Sequence, residues 1–254
     1  MILLKGKTVS KGIAVGRVFV YRAFSCDVHR AYFEEGFERE NLLRFENARK
    51  IAEQELDAVV ASFSAKDKEK AKIFEAHKEI LYDEDIFERV KSEIYGNRTL
   101  PDYAVDMVFG EYIAIMKKVE DPLISERVDD LRDVRNRILR IIYGEKEKNV
   151  SCFTSEVIVV AHDLLPSDTA TLDRSKVKGI ITEVGGESSH TAIIARTYGI
   201  PAVICVNEAV RILKNDQLVV LDAAADDGVG IVGIDPDEKT VARYEEKRRT
   251  LTIN

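Results

Sequence analysis

Between about residue 34 and residue 143 apolar side chains recur every three or four positions and glycines nearly vanish, the texture of amphipathic helices. Leu42, Phe45, Ala48, Ala52, Leu56, Val59 and Phe63 form one such face. Ser64-Ala65-Lys66-Asp67 interrupts it, and Ile73, Phe74, His77, Ile80 and Leu81 then mark a second helix. The run Tyr95-Gly96-Asn97-Arg98-Thr99-Leu100-Pro101 is a break, with Pro101 placed to open a third helix carrying Val105, Val108, Tyr112, Ile115 and Val119. Asp121-Pro122 opens the last, in which Ile124, Val128, Leu131, Val134, Ile138 and Ile142 hold a stripe until Gly144 ends it. Four or so antiparallel helices joined by short loops predict a bundle, and a stripe of this kind is first of all core.

On either side the pattern changes period. Lys7 to Tyr21 is rich in β-branched residues and punctuated by Gly12 and Gly16, which predicts two short strands joined by a turn. After the charged stretch Glu145-Lys146-Glu147-Lys148-Asn149, apolar runs predict strands at Val157–Ala161, Gly179–Glu183, Ala202–Val206, Leu218–Leu221 and Val229–Ile234. The last two are joined through Asp226-Asp227-Gly228 turn chemistry. Ser167 is placed to cap a short helix through Leu172, and Asp235-Pro236-Asp237 opens a charged closing helix that reads as a connector. Strands alternating with short helices predict an α/β domain. The expected division is N-terminal strands over 1–30, an inserted all-α bundle over 31–144, the rest of the α/β domain over 145–234 and a linker helix over 235–254.

Composition narrows the class. The chain has 254 residues, 45% hydrophobic and 33% charged, with no run near the roughly 18 apolar residues of a membrane helix, so it reads as cytoplasmic with no membrane insertion. Cys26, Cys152 and Cys205 are isolated and odd in number, which fits reduced thiols packed as small apolar groups. A net charge of -7 argues against nucleic acid and permits a basic protein partner. The lysine-rich run from Lys66 to Lys72 alternates in sign and reads as a solvated helix face.

The chemistry concentrates in one stretch, Gly185-Gly186-Glu187-Ser188-Ser189-His190-Thr191-Ala192-Ile193-Ile194-Ala195-Arg196. The order is strand, glycine turn, helix. Ser188 or Ser189 is placed to cap the first turn, Ile193, Ile194 and Tyr198 recur at helical spacing, and Gly199 with Pro201 ends the helix. His190 then stands beside unsatisfied N–H groups at the positive end of a helix, a setting that suits phosphate. A neutral imidazole offers a nucleophilic nitrogen near neutral pH, and phosphoryl transfer asks the protein mainly for positioning and charge neutralisation. Gly185, Gly186, Ser189 and Thr191 are the candidate cradle. A dinucleotide or acyl-phosphate loop is disfavoured because GxGxxG and GxxxxGK[ST] are absent, and a Ser189–His190 nucleophile pair is weak without a GxSxG elbow. His29, His77, His162 and His190 do not fall at metal-ligand spacings, so no metal site is expected in this chain.

This stretch resembles the phosphohistidine signature of enzyme I of the bacterial phosphoenolpyruvate:sugar phosphotransferase system. The related motif of the swivelling domains of pyruvate phosphate dikinase and phosphoenolpyruvate synthase commonly has cysteine before the histidine, where Ser189 stands. The helical insertion resembles the family's HPr-binding subdomain, as do Ile73-Phe74-Glu75-Ala76-His77 and Glu126-Arg127-x-x-Asp130-Leu131-Arg132-Asp133 within it. The likeness covers residues 1 to about 245. It implies a swivelling β/β/α phosphohistidine domain with an inserted bundle, a phosphoryl group carried on His190 Nε2, and a hydroxyl from Thr169 that orients the ring. It further implies HPr contacts at His77, Ile80, Asp83, Ile86, Ile124 and Arg127. A dikinase-like mobile domain is the alternative enzyme reading, and a docking module with an inert His190 is the non-enzyme one.

Lys68, Lys70 and Lys72 stand where the family often has acidic residues, which shifts the expected attraction to a basic HPr surface onto Glu69, Glu75 and Asp83. Leu165 stands where the family usually has threonine. Nothing in the chain resembles the family's phosphoenolpyruvate-binding barrel, which carries the magnesium site and the dimer contacts. The expectation is a monomeric N-terminal fragment without cofactor, with Mg2+ and the homodimer belonging to the C-terminal domain of the full-length protein.

Overall fold

The computed structural model describes residues 1–64, 67–119, 121–146, 153–225 and 227–253. Lys66, the linker residues 147–149, Cys152 and Asp226 lie outside the described residues. The strands and helices sort into two compact units. One comprises Met1–Ala23, Asn149–Leu164 and Thr171–Asn254; the other comprises Phe24–Lys148 and Leu165–Ala170. Residues 24–30 and 165–170 therefore group with the helices.

In the helical unit α1 (Glu38–Ser64), α2 (Lys68–Leu81), α3 (Glu84–Asn97), α4 (Pro101–Met116) and α5 (Pro122–Ile142) pack around one apolar core. Phe45, Ala52 and Leu56 of α1 and Leu131, Val134 and Ile138 of α5 are buried in it, as their spacing predicts. Glycine and proline punctuation does not mark the start of α3, which comes from Asp83: its carboxylate accepts the amides of Asp85 (3.1 Å) and Ile86 (3.2 Å). Gly96 lies inside α3, and the helix ends on Arg98 in the left-handed region. The stripe on α4 turns with the helix: Ala104, Val105, Val108 and Phe109 are buried, whereas Ile115 and Val119 are exposed, Val119 lying past its end.

In the other unit β1 (Ile2–Ser10), β2 (Ile13–Tyr21), β3 (Val157–Ala161), β4 (Val177–Thr182), β5 (Ala202–Ile204), β6 (Leu218–Asp222) and β7 (Val229–Ile234) close into a barrel in the order β1-β5-β4-β3-β2-β6-β7. The sheet is thus a closed barrel and not the layered β/β/α arrangement implied by the resemblance. β2, β3, β4 and β5 are successively parallel, and the remaining pairs are antiparallel. β1 and β2 flank Gly12 but each pairs with other strands, so they are not a hairpin. Alternation along β3 sends Ile158 and Val160 into one cluster with Ala14, Val18, Ile181, Val203, Leu221 and Val232. These come from six strands and mark the barrel interior. Val157, Val159 and Ala161 join the cluster that holds Ala192 and Ala195 of the following helix.

The interior is tight enough to require glycine at Gly6 and Gly230. A Cβ on Gly6 would stand 2.4 Å from Ile204 O, and one on Gly230 would stand 2.3 Å from Val203 Cγ2. Alanine in a strand normally gains about 0.5–1 kcal/mol over glycine, but at Gly6 the obstacle is backbone and cannot rotate away. Gly6→Ala is expected to destabilise the barrel by about 1–3 kcal/mol, read as a lower urea midpoint at unchanged slope; a neutral or stabilising result would show that β1 and β5 can part.

The closing helix (Glu238–Ile253) packs against β2, and Lys247 Nζ lies 2.7 Å from the buried Asp222 Oδ2. It is part of the barrel unit and not a separate linker. Among the described residues no helix is long and apolar enough to cross a membrane.

Candidate functional site

β4 delivers the chain to the glycine turn, and α7 (His190–Tyr198) leaves it. Gly185 has φ +137, a conformation that L side chains rarely adopt, and a Cβ there would also lie 3.4 Å from Ser189 Oγ. Ser189 is the N-cap: its backbone N–H donates to Gly186 O (3.1 Å) and its hydroxyl accepts Ala192 N–H (3.3 Å). His190 is consequently the first helical residue, half-exposed beside the exposed residues 184–188. The helix closes on Gly199 in the left-handed region, with its N–H directed at Ala195 O and Arg196 O.

The buried face of α7 is not the one that hydrophobicity suggests. Thr191, Ala192 and Ala195 are buried, Ile193 and Ile194 are half-buried, and Tyr198 is exposed. Small residues let the helix lie close to β1, where Ser10 Oγ donates to Ala195 O at 3.3 Å. Thr191 is only 1% exposed and its hydroxyl donates to Leu164 O (3.3 Å). Its side chain therefore pins the helix start instead of lining a phosphate cradle. The open backbone lies at Gly186, where nothing comes within 4 Å of an added Cβ.

Side chains far away in sequence fasten the turn. Lys7 Nζ and Glu187 Oε1 are 2.7 Å apart, and Arg196 donates to Glu187 O (2.6 Å) and Val9 O (3.4 Å). The Lys7–Glu187 contact holds the Glu187 carboxyl below the usual carboxylate range and the Lys7 ammonium above its own. Cys205, at φ 58 and exposed, donates its thiol to Gly185 O at 3.5 Å, so it is not a packed apolar group. Cys26 does pack against the helical core, and burial raises its thiol pKa. No sequence signal at Lys7 announces the pairing, because its partner is 180 positions away.

Thr169 lies in α6 (Pro166–Thr171), is 1% exposed, and donates its hydroxyl to Pro166 O (3.0 Å). Pro166 takes the first helical position, so Ser167 is inside the helix and not its cap. Ser167 N–H and Oγ–H both donate to Asp133, at 2.8 and 2.7 Å.

The residues expected to meet a partner divide. His77, Ile80 and Ile86 are 0%, 1% and 3% exposed, and so belong to the interior; the stripe that makes α2 amphipathic is the face that it buries. His77 points at acidic groups of α5, with Nε2 3.2 Å from Asp130 Oδ1. Asp83, Ile124 and Arg127 are half-exposed. Arg127 lies 3.9 Å from Glu79, and Asp83 is occupied as a helix cap.

The family described as PEP-utilising enzyme, N-terminal, matches residues 5–127, and that described as PEP-utilising enzyme, mobile domain, matches residues 153–226. Phosphoenolpyruvate-protein phosphotransferase of Priestia megaterium is 35% identical over 246 residues, 96% of this chain and 42% of the relative. The protein of that description from Listeria monocytogenes is 34% identical over 252 residues, 98% of this chain and 43% of the relative. The chain thus spans less than half the length of these curated relatives. A solution structure described as Enzyme I (nEIt) superposes with a TM-score of 0.79 at 37% identity, covering 98% of this chain and 99% of that one. The N-terminal domain of Enzyme 1 – Nitrogen, at 20% identity and TM-score 0.53, shares the fold.

Proposed function

Because the chain belongs to the phosphoenolpyruvate-protein phosphotransferase family, enzyme I, as its N-terminal region, we propose that it carries a phosphoryl group on His190 and exchanges it with the histidine of HPr. The observation that carries the proposal is the setting of His190 at the first position of α7, half-exposed beside the open backbone of Gly186. In the exchange the Nε2 lone pair of His190 attacks phosphorus as the P–N bond on the carrier breaks, and that bond's electron pair returns to the carrier's imidazole. The positive end of α7 and the peptide dipoles of the turn offset charge on the three equatorial oxygens. Gly185, Gly186 and Ser189 shape that turn.

Thr169 is proposed to hold the ring. As the family resemblance implies, a threonine hydroxyl in this role accepts an imidazole N–H and so fixes the other nitrogen as the nucleophile. HPr is proposed to dock on the helical unit through half-exposed residues such as Asp83, Ile124 and Arg127, in the cytoplasm. Phosphoenolpyruvate, Mg2+ and dimer contacts are assigned to a C-terminal domain of the full-length protein.

Incubation with phospho-HPr and mapping of acid-labile phosphate tests the assignment: label at His190 supports it, and label elsewhere or none sinks it. Thr169→Ala is expected to slow transfer about tenfold or less, the worth of one orienting hydrogen bond, at nearly unchanged affinity for HPr. Lost affinity with normal transfer would move Thr169 from ring orientation to docking.

A further inference from the structure

Glu187 is the acidic side chain of the glycine turn, three positions before His190 and inside the loop that Ser189 N–H closes by donating to Gly186 O (3.1 Å). The proposed chemistry does not use it. A carboxylate in this place works against a phosphoryl carrier, since a phosphoryl group brings about two further negative charges. Glu183, the next carboxylate upstream, is engaged elsewhere: its Oε1 accepts Val210 N–H (2.9 Å) and its Oε2 lies 2.7 Å from His162 Nδ1.

The fold sets a cation against Glu187. Lys7 on β1 pairs with Ile204 of β5 on one side and with Val229 of β7 on the other. Ile204 Cβ in turn stands 3.7 Å from the point that a Cβ on Gly185 would occupy, so the strand register brings Lys7 alongside the turn. Its Nζ reaches Glu187 Oε1 at 2.7 Å. The backbone is held at both ends of this contact. Lys7 is fixed by its two ladders, and Glu187 by Arg196, whose guanidinium donates to Glu187 O (2.6 Å) and to Val9 O (3.4 Å).

Both side chains stay more than half exposed, 53% for Lys7 and 70% for Glu187, so the pair adds little to stability. What it changes is the charge that the turn presents to His190. The Lys7 ammonium holds the Glu187 carboxyl low, with a smaller contribution from the Arg196 guanidinium, and the Cys205 thiol is the other titratable group acting on Lys7.

We propose that Lys7 tunes how readily His190 takes a phosphoryl group, by neutralising Glu187 within the glycine turn. The proposal rests on His190 as the phosphoryl carrier. Loss of the ammonium moves the charge beside the imidazole by one toward negative, which favours the imidazolium and opposes the phosphoryl group. Loss of the carboxylate moves it by one toward positive and does the reverse.

The test compares the whole chain as wild type, Lys7→Met, Lys7→Arg, Glu187→Gln and Lys7→Met/Glu187→Gln. The titration midpoint of His190 is read from its imidazole 15N shifts, and the equilibrium constant for phosphoryl exchange is measured between the free chain and phospho-HPr. Lys7→Met is expected to raise the midpoint by about 0.3–0.7 pH and to move the exchange equilibrium about two- to fivefold away from His190, the range of one exposed charge pair. Glu187→Gln should shift both readouts in the opposite direction. The double variant should lie between the two single ones, and Lys7→Arg, which keeps the charge, should return to wild type. All the shifts should shrink in about 1 M salt, where the screening length falls to about 3 Å.

Shifts of the same sign in Lys7→Met and Glu187→Gln would make the contact a mechanical staple of the turn and overturn the proposal. An unchanged His190 midpoint and an unchanged equilibrium in both single variants would overturn it too, because the charge of the pair would then not reach the ring. In either case label on His190 in the wild type leaves the carrier reading standing. A wild-type chain that takes no phosphate from phospho-HPr removes that reading, and the proposal with it.

Discussion

His190→Ala is expected to abolish labelling by phospho-HPr while leaving both units folded. The side chain is half-exposed at the first position of α7, so its removal takes little apolar burial from the barrel unit. Alanine is also a good helix former, and the cap of α7 is made by Ser189, not by His190. The cost to stability should be about 1 kcal/mol, the worth of one side-chain interaction at a half-exposed position. The chemical cost is of another order, because phosphoryl exchange through an enzyme-bound intermediate has no route once the accepting nitrogen is gone. The relevant control is His162→Gln. His162 is exposed, with Nδ1 2.7 Å from Glu183 Oε2, and lies at the end of β3 in the same unit. Labelling of this variant should match wild type. Residual acid-labile phosphate in His190→Ala that disappears only when His162 is also replaced would move the carrier role from His190 to His162.

The elements near His190 are legible in the sequence because they are local. A serine cap, expected at Ser188 or Ser189 and found at Ser189, Gly199 as stop and the β4 run each act on neighbours within a few residues. Which face of α7 is buried is less legible, since Ile193 and Ile194 outweigh Ala192 and Ala195 on any apolar scale. Close approach to β1 selects for small side chains there, and that requirement is set by a strand whose Ser10 lies 185 positions before Ala195. Closure of the barrel is hidden for a similar reason: alternation in β3 is the same for a flat sheet as for a closed one, whereas closure depends on strand number and stagger.

Polar groups inside the bundle follow the same division. His77 sits in an apolar stripe with Phe74, Ile80 and Leu81, and nothing local tells whether a histidine there meets a partner or completes a core. Its burial is decided by Asp130, 53 positions away. Ser167 shows the converse: its type and position fit a cap, but Pro166 already occupies the helix start and Asp133 accepts both of its donors. The resemblance supplies the chemistry of the site, and the geometry reassigns several of its supporting residues.

Glu55→Gln is expected to produce a large loss of stability in the helical unit. Glu55 on α1 faces two guanidinium groups of α5: Arg137 Nη1 lies 2.6 Å from Glu55 Oε2, and Arg140 Nη2 donates to the same oxygen. The arginine side chains are only 5% and 8% exposed, while Glu55 retains 28%. Removing the shared carboxylate takes the Glu55 charge away from two buried cations, and breaking a buried pair costs about 3–5 kcal/mol. Partial exposure of Glu55 and the remaining bond from Arg140 to Glu145 O (2.9 Å) bring the expected loss to about 2–4 kcal/mol. Amide exchange in α1 and α5 should accelerate accordingly, by roughly 30- to 1000-fold where it reports unfolding of the unit. The sign should change when the charges are removed together. Glu55→Leu combined with Arg137→Met and Arg140→Met leaves no buried cation at this point, and should recover most of the loss, since replacing a buried charge cluster by apolar groups of similar volume is often neutral or better. A Glu55→Gln variant within about 0.5 kcal/mol of wild type would mean that water or the other acceptors already neutralise Arg137 and Arg140, and that α1 and α5 are held by their apolar stripes alone.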